Sequence, residues 1–235
     1  MAAPTAMVEQ RLHLFQLVSP ALPVGGFRYS EGLESLVQQG RLGAAQTLRT
    51  WLEAELWRGC LTVEAATLPG LMVLRERARS AAPREARAAL QAVLERAGWL
   101  LAQREAPEVR APQRQMGGSL CGWLADLGWP LPAAAPPLAW PAAWAWAGVC
   151  LQLDPGELVE AFLYSWVAGQ LSAAVRLVPL GPTQAQGLQL ALAPLLAQRA
   201  RELANADPAS LWTGGVGASL AQLGHSELYS RLFRS

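Results

Sequence analysis

The stretch "LDPGELVEAFLYSWVAGQLSAAVRLVPLG", Leu153 to Gly181, leaves its backbone few choices. Asp154 can accept from the free N–H groups of a first helical turn, and Pro155 fits a position where no N–H is needed. Glu157 complements the positive end of the helix. Pro179 and Gly181 bring it to a stop. Between these bounds the chain is apolar on nearly every side, so the helix belongs in the middle of a fold, surrounded by protein. Ser165, Gly169 and Ser172 form a stripe of small side chains along it that would let another helix approach closely.

The rest of the chain supplies more helices and no strands. β-branched residues are few and alternation never lasts. From Arg84 to Arg104, Leu90, Val93, Leu94, Ala97, Leu100 and Leu101 recur at three- and four-residue spacing. Leu48, Trp51, Leu52 and Glu55 continue that period between Ala44 and Trp57. A break at Gly59 precedes a further helix through "LTVEAATLPGLMVLRER", which Pro69 and Gly70 are expected to kink or split. Another is expected from Thr183 to Ala204, bent at Pro194, then an ordered loop and a short last helix. The proline- and tryptophan-rich stretch from Trp129 to Trp146 reads as a connection plus a buried helix start. The expected fold is all-α: a single-domain multi-helix bundle over residues 1–235 around a central apolar helix.

Composition narrows the function. Hydrophobic residues make up 52% and charged residues 16%, below the usual quarter, which points to apolar surface completed by an oligomer or partner. A net charge of +1 gives no footprint for nucleic acid or an anionic membrane. Every basic residue is arginine, so chemistry that needs an amine is excluded: a phosphate-loop lysine, a Schiff base or a Ser–Lys dyad. Cys60, Cys121 and Cys150 are far apart and read as small core residues. Leu131 to Leu153, the most apolar region, is broken by Pro132, Pro136, Pro137 and Pro141, and after the last proline the apolar run is too short to span a bilayer. The N-terminus lacks a secretory pattern, so the expectation is a soluble cytoplasmic protein.

No catalytic constellation emerges. His13 and His225 lie at opposite ends without H-x-x-x-H, E-x-x-H or Cys/His clusters, so no metal or cofactor site is expected. His13 reads as structural, and His225 is divided between a functional contact and a helix-end hydrogen bond. "GGVGASL" lacks the strand and lysine of a phosphate loop. Ser30 in "YSEGL" lacks the first glycine of a nucleophile elbow and reads as a helix cap, with Glu31 and Glu34 in the first turn. The pairs Glu31/Glu34 and Glu157/Glu160 read as solvated helix faces.

Two irregular segments remain. In "SPALPVGGFRYSEGLE", Pro20 and Pro23 exclude regular helix and Gly25–Gly26 permits positive φ, presenting Phe27, Arg28 and Tyr29 just before a helix. An ordinary loop with Phe27 tucked into the core is the plainer alternative. The final "HSELYSRLFRS" is too apolar for a solvated tail and must dock on its own domain or on a partner.

Those two segments, with "AFLYSWVAGQLSAAVRLVPLGPTQAQ" and more weakly "REAPEVRAPQRQMGGSL", resemble the urease accessory protein UreF family, in the same order through most of the chain. The match is poorest from Trp129 to Leu151. The resemblance implies an all-helical, homodimer-forming protein with no enzymatic activity. It would bind the accessory protein UreD, also called UreH, and recruit the nickel-carrying GTPase UreG. The assembly would then deliver nickel to apo-urease. It further implies a partner surface made of Phe27, Arg28, Tyr29 and Glu31 with His225, Tyr229, Arg231, Leu232 and Phe233. The chain departs from the family where Ser226 follows His225 in place of Glu, where Pro182 replaces Gln, and where Arg28 replaces a small or polar residue. The alternative left by the residues themselves is a helical module for an apolar small molecule or lipid, with Trp140–Trp146 as a pocket wall.

Overall fold

A computed structural model describes residues 4–132 and 138–234; Pro136 and Pro137 lie outside the described residues. Ten α-helices are present among them: α1 Pro4–Leu17, α2 Leu33–Gln38, α3 Ala45–Arg58, α4 Cys60–Ser80, α5 Pro83–Ala102, α6 Pro107–Asp126, α7 Trp140–Cys150, α8 Pro155–Leu177, α9 Pro182–Ala204 and α10 Val216–Gly224. Short 3-10 turns occupy Gly26–Arg28, Pro208–Ser210 and His225–Glu227. No strand occurs in the described residues, so the chain is all-α.

The start of α8 is built as its residue types require. The Asp154 carboxylate accepts from Gly156 N at 2.8 Å and Glu157 N at 3.1 Å, satisfying two donors that the first turn leaves free. α8 packs against α1, α2, α3, α4, α7 and α9. Its other side is open: Tyr164, Gly169, Ser172 and Arg176 are exposed, and the Ser165–Gly169–Ser172 stripe lines a cleft in place of a neighbouring helix. α8 is also the one described helix long and apolar enough to cross a membrane, yet 56% of its most apolar window is buried inside the chain.

The most enclosed element is α7, where every residue from Pro141 to Gly148 is buried. Trp144 has no exposed surface and meets Trp140 and Phe162 edge-on, with ring centroids 5.6 and 5.3 Å apart. Such pairs add about 1 kcal/mol each beyond the area they bury. α4 lies alongside, touching α3, α5, α7, α8 and α9. It runs unbroken through Pro69, so the expected split does not occur. Leu61 to Leu68 on one side of the proline and Leu71 and Met72 on the other are all buried, and packing at both ends keeps one helix. α9 likewise continues through Pro194. α6 had no helical signal in the sequence, because Pro112, Gly117 and Gly118 interrupt its periodicity, but its residues Val109, Met116, Leu120 and Leu124 are buried in register.

One hydrophobic cluster runs from Leu17 to Phe233 and draws on every helix from α1 to α10. Within it α4 carries an anomaly. Arg75 is 1% exposed, and none of its guanidinium nitrogens has a hydrogen-bond partner among the described residues. It is held against the Trp146 ring at 5.5 Å, and burial pushes its pKa down to about 10. Cys121 is buried and Cys60 and Cys150 are half-buried; desolvation raises all three thiols, Cys121 to about 11 and Cys150 to about 12.

Candidate docking site at the meeting of the two chain ends

After α1 the chain turns irregularly through Ser19 to Ser30. Gly25 has φ 71° and Gly32 has φ 91°, left-handed values that glycine adopts without steric cost. Between them the Gly26–Arg28 turn holds Phe27 outward, 67% exposed, so the alternative of a core Phe27 is not what forms. Tyr29 turns inward, buried, with its hydroxyl donating to Gln115 Oε1 at 2.9 Å. Ser30 is buried and its Oγ accepts from Glu34 N at 3.4 Å, a capping contact, although Gly32 holds the N-cap position of α2.

The last residues fold onto this segment. Arg234 N donates to Arg28 O at 2.8 Å, and Gln38 Nε2 to Ser230 O at 3.0 Å. The centre of the junction is Glu34, 2% exposed. Its carboxylate accepts from Leu232 N at 2.6 Å and Phe233 N at 3.0 Å, and lies 3.0 Å from His225 Nε2. This corrects the reading of Glu34 as part of a solvated helix face. A buried carboxylate is costly without partners, and here the C-terminal segment supplies three donors. Glu157 and Glu160, by contrast, are exposed. The acidic partner of His225 is thus Glu34, not the nearby Glu227.

Glu31 is half-buried and has φ 50°, unusual for a non-glycine residue. Three contacts hold it there. Trp166 Nε1 donates to its Oε2 at 3.3 Å, Arg104 Nη1 lies 3.6 Å from the same oxygen, and Gln222 Nε2 of α10 donates to its carbonyl at 3.2 Å. Arg104 also pairs with Glu64 at 2.7 Å, both side chains buried. Burial alone would lower the Arg104 pKa; the charges of Glu64 and Glu31 outweigh that and raise it, so this guanidinium stays charged.

The nine residues named from the sequence therefore divide by position. Phe27, Arg28, Tyr229, Arg231 and Leu232 are exposed, Tyr229 completely. Tyr29, His225 and Phe233 are buried within the chain. Glu31 lies between the two groups. Sequence reasoning missed two further members. Arg176 of α8 donates to Phe27 O at 3.4 Å and stacks over the Phe233 ring at 4.6 Å. Glu34 was seen but assigned to solvent. Arg28, Arg176, Arg231 and Arg234 are exposed on these segments and on α8, and form no ion pair among the described residues.

Beside Phe27 a cleft of ≈ 460 Å³ runs between the Leu17–Phe27 segment and α8, with Trp140 and Met116 in its wall. Trp144 and Trp146 are buried in the core, so of the tryptophan-rich segment Trp140 is the tryptophan that lines this cleft. Among the described residues no group of three or more His, Cys, Asp or Glu side chains converges to hold a metal ion.

Comparison with known proteins gives this arrangement its family. The UreF family model matches residues 42–193. The urease accessory protein UreF of Prochlorococcus marinus strain MIT 9215 is 35% identical over 230 residues, covering 97% of this chain and all of that protein. The UreF of Synechocystis sp. strain PCC 6803 is 36% identical over 96% of this chain and 98% of its own length. That of Delftia acidovorans is 38% identical over 94% and 95%. The family is one of accessory, non-catalytic proteins, and this chain belongs to it: it is a UreF-family urease accessory protein.

Proposed function

We propose that the chain acts as a non-enzymatic scaffold in urease maturation. As one domain and as a homodimer, in the cytoplasm, it binds UreD/UreH and recruits the GTPase UreG, so that nickel reaches apo-urease as cargo of the assembly. The observation that carries this reading is the junction of the two chain ends. Glu34 fixes the C-terminal segment against the Phe27 loop, and the result exposes Phe27, Tyr229 and Leu232 together with four arginines that form no ion pair among the described residues. Aromatic and arginine side chains on a rigid support are the composition that dominates binding energy at protein interfaces. Because hydrogen bonds within the chain already tie the two segments together, little ordering remains to be paid on docking.

The proposed division of labour is physical. Phe27, Tyr229 and Leu232 supply apolar area, and Arg28 and Arg231 supply charge-assisted hydrogen bonds. Tyr29, Glu31, His225 and Phe233 hold those side chains in position. The test is co-expression with UreD/UreH and UreG followed by size-exclusion chromatography. The reading expects one complex containing all three proteins, and urease activation in cells lacking their own UreF when this chain is supplied. Absence of both the complex and activation would overturn it.

A further inference from the structure

Arg104 is surrounded by carboxylates from separate elements: Glu31 from the segment before α2, Glu64 from α4, and Glu55 from α3. Glu31 and Glu64 are paired with it. Glu55 is half-buried, and its carboxylate has no hydrogen bond or ion pair among the described residues. It occupies a slot between two backbones. A Cβ at Gly59, where α3 passes into α4, would collide with its Oε2, and a Cβ at Gly215 would lie 3.8 Å from its Oε1. Gly214 and Gly215 belong to the strap that leads into α10, and Gly214 N donates to Arg58 O at 2.9 Å, pinning the strap across the carboxyl. α10 in turn holds the Glu31 carbonyl through Gln222.

We infer that the Glu55 carboxyl is a proton-controlled latch for the C-terminal arm: neutral Glu55 lets the 211–215 strap close over it, and the carboxylate anion loosens the strap and α10 behind it. Covering a neutral carboxyl with backbone costs far less than covering its anion, which loses water and here regains only part of that from the Arg104 and Arg58 charges. The groups facing Glu55 act in both directions. Burial is the largest influence and raises its pKa to about 7; Arg104 opposes this, Glu31 adds repulsion, and Arg58 opposes it again. Glu64 is compensated by Arg104, and the Cys60 thiol stays neutral, its pKa raised by burial. The docked form thus binds the proton more tightly than an exposed carboxyl near 4.5 does. Closure is fully favoured below that lower value and is lost as pH rises through about 7.

The device is a property of this chain alone; its bearing on partner docking rests on the reading above. Hydrogen exchange of the isolated full chain, corrected for the intrinsic rate, reads it directly. The opening constant of backbone amides in 213–222 should rise about tenfold between about pH 6 and pH 8. The rise should vanish in Glu55→Gln. Glu55→Met, also neutral and of similar volume, carries the test if the amide variant does not fold. No rise in the unaltered chain, or the same rise in a folded neutral variant, would overturn the inference, and neither result bears on whether the chain recruits its partners.

Discussion

The Glu34 carboxylate lies 3.0 Å from His225 Nε2 across 191 positions of sequence, both side chains buried. The same carboxylate takes the N–H groups of Leu232 and Phe233. One acidic side chain near the start of the chain therefore fixes where its last residues lie. The surface proposed for partner docking follows from that attachment.

Removing the attachment should free the arm. Glu34→Ala leaves a buried N–H, a part-buried N–H and a buried imidazole without their acceptor, and should cost roughly 3 kcal/mol, since bonds to charged groups contribute about 1.5–3 kcal/mol each and the losses overlap. Tryptic cleavage after Arg231 should accelerate more than the fall in melting temperature alone explains. An arm that stays protected would show that Phe233 packing suffices.

Gly32 should tolerate no side chain. Its φ is 91°, and a Cβ would lie 3.0 Å from Gln222 Cγ and 3.1 Å from the Gln222 backbone N. Gly32→Ala should destabilise by about 1–3 kcal/mol and weaken the contact of α10 with the Glu31 carbonyl. Chemical denaturation of the two proteins measures the first effect and amide exchange in α10 the second.

Arg75 predicts the opposite sign. Among the described residues its buried guanidinium has no hydrogen-bond partner and lies against the Trp146 face, and a charge so placed is a net cost unless paired. Arg75→Met keeps the apolar stem volume and should leave stability unchanged or raise it by about 1–3 kcal/mol. A drop in melting temperature of several degrees would show that the cation is compensated by contacts other than those described.

The N-cap of α8 gives a quantitative control. Asp154→Ala removes the acceptor for Gly156 N and Glu157 N and should cost about 1 kcal/mol without altering the docking surface. Urea denaturation checks the cost, and an unchanged affinity for partners checks the separation of the two effects.

α8 was legible because its ends carry local chemistry: a carboxylate and a proline that act within one turn. α6 was not, because Pro112 and the Gly117–Gly118 pair hide a periodicity that only tertiary packing restores. Phe27 and the terminal aromatics could be singled out because apolar side chains amid turns or at a terminus have no reason to face water alone. Glu34 could not be separated from Glu157 or Glu160, since all three look alike beside helix starts. What distinguishes Glu34 is a trio of donors arriving from the far end of the chain, and nothing within a turn of it records their approach. Arg176 was hidden for the same reason, its partners Phe27 and Phe233 lying far from it in sequence.

The central claim is that exposed side chains from both chain ends form one docking surface while the buried ones only support it. The most direct test is the affinity of UreG for the complex of this chain with UreD/UreH, measured for the unaltered chain and for Phe27→Ala, Tyr229→Ala and Arg231→Ala. All three sites are exposed, so melting temperatures should hold within the equivalent of about 0.5 kcal/mol. The account predicts that variants from each chain end weaken binding at least about tenfold, as expected when interface anchors are truncated. Unchanged affinity in all three, with folding intact, would contradict it.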